Sequence, residues 1–327
     1  MRERNTVKIT IITPLYNSER FIERLRDSII SQGHLDLIEW ILIDDASSKE
    51  SVEKVSSLLK NQLISTSLYQ LPVNSGGGVP TAFGISKAKG ELLIKIDHDD
   101  ELVPNAISTI LGDYDDLEGK HDICGMLYRS IDPNTNKVLK SGSAIPKGKL
   151  FSFSDKNNVF KDHSDTFEVY ITDVIRQFWT PEYMNKATLS TPVLFKMSRF
   201  KPFVSMGDIG LLKYHRDNPN SQTNHIRVSK NTVHTYSEVF NQFDYKYLLR
   251  PIFYLKTAVM LLVFSKMVFN DHISGIRYVD SFIFKFFFFI LIPVAIIKMN
   301  FSSFDDITIV DRVDYPLLEL GKTKKLI

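Results

Sequence analysis

Glu91-Leu-Leu-Ile-Lys-Ile-Asp-His-Asp-Asp-Glu-Leu-Val-Pro104 is the stretch that decides the fold. Leu92 to Ile96 is a short apolar run bounded by Gly90 and by acids, which predicts a buried strand. Asp97, Asp99, Asp100 and Glu101 follow at once, and Pro104 suits the first turn of a new helix. If the backbone stays extended past Ile96, Asp97 and Asp99 point to one side, because side chains alternate along a strand. Two such carboxylates form a hard-oxygen site for Mg or Mn, ions often shared with substrate phosphates. A solvated acidic turn fits the same four acids. The residues that precede them decide between the two.

Working outward, Val7 to Thr13 is short and β-branched, hence a strand. Ser18 is placed to cap a helix whose buried face is Phe21, Ile22, Leu25 and Ile29, with Gly33 just past its end. Trp40 to Ile43 is a second strand, ending in Asp44-Asp45. Ser47 and Glu50 have capping-box spacing before a helix marked by Val52, Val55 and Leu59. Ser67 to Val73 is a third, weaker strand; Asn74 to Gly78 is a flexible loop; Pro80 to Lys89 is a helix closed by Gly90. Strands and helices alternate as in parallel βαβ units. Ligands of such sheets sit outside the carboxyl ends of the strands. Four polar segments fall at those ends: Thr13 to Asn17, Asp44-Asp45, Asn74 to Gly78, and Asp97 to Asp100. The first strand-helix turn lacks Gly-x-Gly-x-x-Gly, which argues against a nicotinamide-binding domain.

Composition is that of a folded globular protein: 327 residues, 43% hydrophobic and 24% charged. A net charge of +2 supplies no basic field for nucleic acid. The single cysteine, Cys124, excludes an intrachain disulfide and any multi-cysteine metal site, and fits a reducing compartment. Met1 to Lys8 is charged, without the apolar core of a signal peptide.

The ordered set Ile12-Thr-Pro-Leu-Tyr-Asn17, Glu39-Trp-Ile-Leu-Ile-Asp-Asp-Ala-Ser47, Asn74-x-Gly76, Ala88-Lys-Gly-Glu91 and Asp97-His-Asp-Asp100 resembles the family 2 glycosyltransferases of bacterial surface-polysaccharide type. The resemblance covers residues 7 to 110. It implies an α/β, GT-A nucleotide-diphospho-sugar transferase fold, with a mostly parallel twisted sheet flanked by helices. It also implies a nucleotide-sugar donor, a divalent metal (Mg or Mn), and inversion at the anomeric carbon. Family habit points to a UDP-sugar. Carried over by position, Pro14 and Tyr16 border the nucleobase and Asp45 accepts a hydrogen bond from it. Asp97 faces the ribose or base, and Asp97, Asp99 and Asp100 supply the metal site. Tyr16 as a packing residue, and Asp45 as a helper in capping the second helix, stay open beside these roles. One departure stands out. Where the family often carries Ala-Arg-Asn, the sequence reads Thr81-Ala82-Phe83. Thr81 then takes the donor-contact position, and either Lys87 or Lys95 is the substitute cation or the metal suffices.

An inverting transfer needs a base for the acceptor's hydroxyl proton. The late family segment is present as Leu212-Lys-Tyr-His-Arg-Asp-Asn-Pro-Asn-Ser-Gln-Thr223. Counting back from it lands at Ser190-Thr191, ahead of a helix over Val193 to Phe200, where there is no carboxylate. Glu182 and Asp208 are the candidates, in that order, with His215 behind them. Ile123 to Tyr128 reads as a strand, Asp132 to Asn136 as turn chemistry, Lys140 to Asp165 as a mobile loop or a plain surface connection, and Phe167 to Phe178 as helical.

After Phe243 the chain turns apolar. Ile252 to Phe269 is apolar nearly all round, and Phe282 to Ile297 holds one charge, Lys285. The second stretch reaches roughly 24 Å as a helix, short of a ~30 Å hydrocarbon core. Pro293 interrupts it, so an interfacial or re-entrant pair of helices fits better than a crossing. Lys246, Arg250, Arg277 and Lys298 suit an anionic leaflet; a buried helical pair is the alternative. The expected organisation is a catalytic domain over 1–245 (donor half 1–110, acceptor half 111–245), apolar membrane-associated helices over 246–300, and a tail without an assignable role. The expected activity is glycosyl transfer to a growing, lipid-linked glycan at the cytoplasmic face of the membrane. A non-catalytic nucleotide-sugar-binding subunit is the alternative. A nucleotidyltransferase is disfavoured, because Thr13 to Asn17 lacks its Gly-rich basic loop.

Overall fold

The computed structural model describes residues 7–60, 63–117, 122–180, 190–218, 226–242, 244–302, 307–309 and 317–327. The chain divides into two compact units, one of residues 1–184, 197–215 and 315–327, the other of 185–196 and 216–314.

In the first unit, β1 (Ile9–Leu15), β2 (Ile38–Asp44), β3 (Ser65–Gln70) and β4 (Leu92–Lys95) lie parallel in the order β3-β2-β1-β4. All seven residues of β1 and of β2 are buried, so each strand reads as a continuous apolar run rather than an alternating one. The crossovers are α1 (Ile22–Ile30), α2 (Lys49–Leu58) and α3 (Gly78–Lys87). Leu15 pairs with Asp44 and Asp44 with Gln70, so the carboxyl ends of these strands are flush. Chain order reverses between β1 and β4, the switch point at which open α/β sheets bind ligands.

Beyond β4 the sheet is mixed. It continues through β5 (Glu101–Leu102), α4 (Ala106–Asp116), β6 (Gly125–Ile131), β7 (Leu150–Phe151), β8 (Thr166–Ile171), α5 (Thr172–Phe178), α6 (Thr191–Phe200) and β9 (Phe203–Lys213). Strand order is β4-β8-β6-β9-β5, with β7 on β9, and only the β6–β9 pair is parallel. β5 thus lies at the far end of this run yet follows β4 by only six residues, which curls the sheet around the acidic segment.

Several local expectations change. Ser18 gives backbone rather than side-chain help to α1: its carbonyl accepts from Phe21 and Ile22. The α2 cap is Ser48, one residue later than expected, accepting from Ser51. Pro104 precedes the helix rather than entering it, and Asn105 (φ 62) makes the turn. Phe167 to Ile171 is strand, not helix; it is held between β4 and β6 by ladder hydrogen bonds. Lys140 to Asp165 is no plain loop. It buries Asp162 and Lys156 against Arg129 of β6, and Lys156 Nζ donates to the Asp162 carbonyl at 3.0 Å. The tail has a structural role: β12 (Lys324–Lys325) pairs antiparallel with the outer strand β3.

Gly90 is required by close approach, not by helix closure. A Cβ there would meet Thr10 N at 2.5 Å and Ile9 C at 2.7 Å, both backbone atoms that cannot swing away. Gly90→Ala is therefore expected to cost about 1–3 kcal/mol, read as a lower thermal midpoint with an unchanged circular-dichroism spectrum.

The second unit contains β10 (Ile226–Val228) parallel to β11 (Ile307–Ile309), and the helices α7 (Lys230–Asn241), α8 (Pro251–Phe269) and α9 (Phe282–Phe301). Its core joins Val233 and Phe240 of α7 to Ala258, Leu262 and Phe264 of α8 and to Phe288 and Leu291 of α9. Contrary to the sequence expectation, α9 runs through Pro293 to Phe301. Twenty residues reach about 30 Å, so the length argument against a crossing no longer holds. Both α8 and α9 are long and apolar enough to cross a membrane.

Candidate functional site

The site is built at the carboxyl edge of β1–β4. After β1, Asn17 adopts φ 47 and after β2 Ala46 adopts φ 58, left-handed conformations that non-glycine residues hold only when their surroundings impose them. Here the two turns lock each other: Asn17 N–H donates to Ser47 Oγ at 2.9 Å, and Asn17 Oδ1 accepts from Ser48 N at 3.1 Å. Tyr16 stands beyond the end of β1, 48% exposed, free to meet a flat ligand. Pro14 is the penultimate residue of β1, and His98 Nδ1 lies 3.4 Å from its carbonyl oxygen.

Asp45 is buried and braces the Asn74–Gly78 loop. One carboxylate oxygen accepts from Ser75 N (2.8 Å) and Ser75 Oγ (2.7 Å), the other from Gly76 N at 2.7 Å. It does not cap α2, and Asp44 makes the turn contact instead, accepting from Ser47 N at 3.1 Å. Asp45→Ala is expected to release this loop and weaken nucleotide binding about tenfold or more, given three hydrogen bonds to a charged group; titration calorimetry with UDP reads this directly.

The acidic segment turns instead of staying extended: Asp100 N donates to the Asp97 carbonyl at 3.1 Å. Asp97 therefore parts company with its neighbours. Its carboxylate keeps 47% of its exposure and pairs with Lys95 Nζ at 2.6 Å. Burial works to raise its pKa, but Lys95 outweighs that and holds it below the usual range. Asp99 and Asp100 are buried. Asp100 is pushed up to about 8 by burial first and then by the Asp97 charge, although it accepts from His215 N at 2.9 Å. Arg24 of α1 donates to the Asp99 carbonyl and so fixes the turn from below. Glu101 pairs with Lys213 of β9, and His215 Nε2 lies 3.9 Å from Glu101. Sequence reasoning missed Arg24 and the His215 backbone N–H. Neither carries a sequence signal, because both contacts depend on the curl of the sheet.

The donor set suits a hard cation only in part. Among the described residues no three His, Cys, Asp or Glu side chains are grouped as a metal cage. Mg is usually held by one or two carboxylates plus substrate phosphates; the adjacent buried pair Asp99 and Asp100 fits that pattern, with Asp97 set apart on Lys95.

The other sequence candidates fall elsewhere. Thr81 is fully buried and its hydroxyl donates to the Gly77 carbonyl at 2.7 Å, so it is a helix residue and not a donor contact. Lys87 lies in the last turn of α3, which runs away from the edge, over the Phe83 ring. Lys95 is the cation that reaches the acids. Asp208 is on β9, paired with Lys140 Nζ at 2.6 Å. It stands five residues before the Lys213 that pairs with Glu101, roughly 17 Å along the strand. That separation and its lysine partner argue against a proton-accepting role. Glu182 lies outside the described residues.

The sequence profile of Glycosyl transferase family 2 matches residues 10–179. The chain belongs to that family. It is 27% identical over 196 residues to poly(ribitol-phosphate) beta-glucosyltransferase of Bacillus spizizenii, an alignment covering 55% of this chain and 30% of that one. It is 28% identical over 184 residues to GalNAc(5)-diNAcBac-PP-undecaprenol beta-1,3-glucosyltransferase of Campylobacter jejuni, covering 56% and 58%. The chain thus spans under two thirds of the length of either relative. In structure, this family 2 chain is similar to Staphylococcus aureus TarS 1–349 in complex with UDP, with a TM-score of 0.54 and 18% identity over 79% of this chain and 70% of the other. It is also similar to the mannosyltransferase PcManGT of Pyrobaculum calidifontis in complex with GDP-Man and Mn2+ (TM-score 0.51, 12% identity, 89% and 80% covered). These likenesses establish the GT-A fold.

Proposed function

We propose that the chain is an inverting glycosyltransferase that moves a sugar from a nucleoside-diphosphate sugar, UDP-linked by preference, to a growing, lipid-linked glycan at the cytoplasmic face of a membrane. One observation carries the reading: a braced loop (Asp45 with Ser75 and Gly76) and an acidic turn (Asp97 to Asp100) lie on the same carboxyl edge of four parallel strands, the turn following the switch-point strand β4. Tyr16 and Pro14 border the base, and the 45–76 brace shapes its pocket. Asp97, with Lys95 against it, sits toward the ribose. Asp99 and Asp100 would hold Mg or Mn at the diphosphate. A bound divalent ion supplies compensation for the negative charge that develops on the leaving diphosphate. Residues 111–245 are proposed as the acceptor half, with Glu182 as the proton acceptor. The lipid-linked acceptor draws support from the exposed apolar helix of the second unit and from the undecaprenol-linked substrate named for the Campylobacter relative.

A non-catalytic nucleotide-sugar-binding subunit is the second reading, favoured by the buried Thr81 in place of a basic contact. A panel of nucleotide sugars with Mn or Mg, assayed for nucleotide release with and without membrane extract, separates the two. Turnover of one donor, lost in Glu182→Gln and kept in Asp208→Asn, is the expected result. Tight donor binding without turnover would move the chain to the second reading.

A further inference from the structure

The second unit exposes one continuous apolar surface. At about 100° per residue, the exposed positions of α9 fall on one arc, which includes Phe282, Ile283, Phe286, Phe289, Ile290 and Ile297. The opposite side packs inward, with Phe284 and Phe288 edge-on to Phe240 of α7 at 5.8 and 4.9 Å. The arc carries no charge along the whole helix. The two charges of α9 stand at its two borders: Lys285 next to Ile296 on one flank, Lys298 next to Phe287 on the other, both half-buried.

The occupant follows from this arrangement. Specific protein interfaces carry hydrogen-bonding groups and a polar rim; this arc offers side-chain hydrogen bonds only at Asn300, near its end. Lysines on both edges match a plane of anionic headgroups, reached by aliphatic stems that lie along the apolar surface. The local charge agrees, since residues 244–302 hold seven Lys and Arg against three Asp. Insertion in the plane also explains α8. That helix is flanked by the polar helix α7, with Tyr236 against Phe264 at 5.1 Å. α7 in turn carries the Lys196–Glu238 ion pair at 2.9 Å and buries Asn231 and Thr232. A crossing by both helices would drag those polar groups into hydrocarbon.

We propose that α9 lies in the plane of an anionic lipid surface, with its exposed arc among the acyl chains and Lys285 and Lys298 at headgroup level on opposite flanks. The membrane-borne acceptor proposed above gives this docking its purpose, but the geometry and the test stand without it. The test is flotation of the full chain with vesicles of phosphatidylcholine alone or mixed with phosphatidylglycerol. Flotation with the anionic vesicles is expected. Lys285→Gln and Lys298→Gln are each expected to weaken partitioning about fivefold, and Phe286→Asp with Ile290→Asp to abolish it. Depth is read separately by placing a tryptophan on one stripe of the arc, through Ile283→Trp, Ile290→Trp or Ile297→Trp, and quenching with lipids brominated at shallow or deep acyl positions. Equal, shallow quenching at all three supports the proposal; a gradient with Ile290→Trp deepest would mean a crossing and overturn it. Flotation indifferent to lipid charge and to both lysines would overturn the anionic surface. Absence of flotation, with a dimer that Ile290→Asp dissociates, would assign the arc to a second copy of the chain. Nucleotide release measured without vesicles reads the donor site independently of all these outcomes.

Discussion

Asp99→Ala is expected to lower metal-dependent donor turnover about 10²- to 10³-fold, the loss that follows removal of one preorganised group facing a developing charge. The fold is expected to survive. The contact that fixes the turn runs from Arg24 to the Asp99 backbone carbonyl, which alanine keeps. The next residue, Asp100, retains its bond from His215 N. A thermal midpoint within a few degrees of wild type, beside a collapsed rate, separates a lost ligand from a lost fold. Asp97→Ala should behave differently. It frees Lys95, whose Nζ is 2.6 Å from that carboxylate, and sets a cation loose beside the diphosphate. Donor affinity should therefore fall less than the rate does.

The second large effect concerns stability. Arg129 and Asp162 form a buried ion pair, each at most 3% exposed, with Lys156 Nζ 4.0 Å from the same carboxylate. Removing one member leaves an uncompensated charge in the interior, so Asp162→Asn is expected to cost about 3–5 kcal/mol. Replacing only these two by apolar residues, Arg129→Met with Asp162→Leu, should not recover the loss, because buried Lys156 would be left without its carboxylate partner. The pH dependence has a definite sign. Burial works to raise the Asp162 pKa, but Ser164 and the two cations outweigh it and hold it below the ordinary value. A carboxylate depressed in the folded state stabilises fully above its unfolded pKa of about 3.9. That contribution is lost as pH falls through the lower folded value. Urea midpoints measured from pH 6 downward should therefore drop in acid for wild type, and Asp162→Asn should lack this part of the drop.

These two clusters mark what the sequence made legible. The acidic edge is readable because β1, β2 and β4 are largely apolar stretches closed by polar residues, and parallel connection puts those closures on one edge. The Arg129–Asp162 anchor is not. Its partners are 33 residues apart, Arg129 on β6 and Asp162 in a Ser- and Lys-rich stretch whose composition reads as loop. Phe167 to Ile171 misled through period: apolar residues spaced for a helix were equally compatible with a strand, and ladder partners on both sides decided. The tail strand Lys324–Lys325 carries charge where β patterns carry branched residues, as edge strands often do. At the site itself, the Asp45 bonds from Ser75 and Gly76 are not legible in the sequence, since they depend on a loop folding back from the next strand.

The Asp97–Asp100 turn and the Asp45-braced loop are proposed to hold a nucleoside diphosphate together through a divalent ion. Paramagnetic broadening of amide resonances by Mn2+, recorded with and without UDP, tests it most directly. Broadening centred on residues 97–101 and 215, reaching 75–77 and strengthened by UDP, is the expected result. Broadening that ignores UDP, or that centres at the amino end of the sheet around Lys8, His34 and Glu91, would contradict the account.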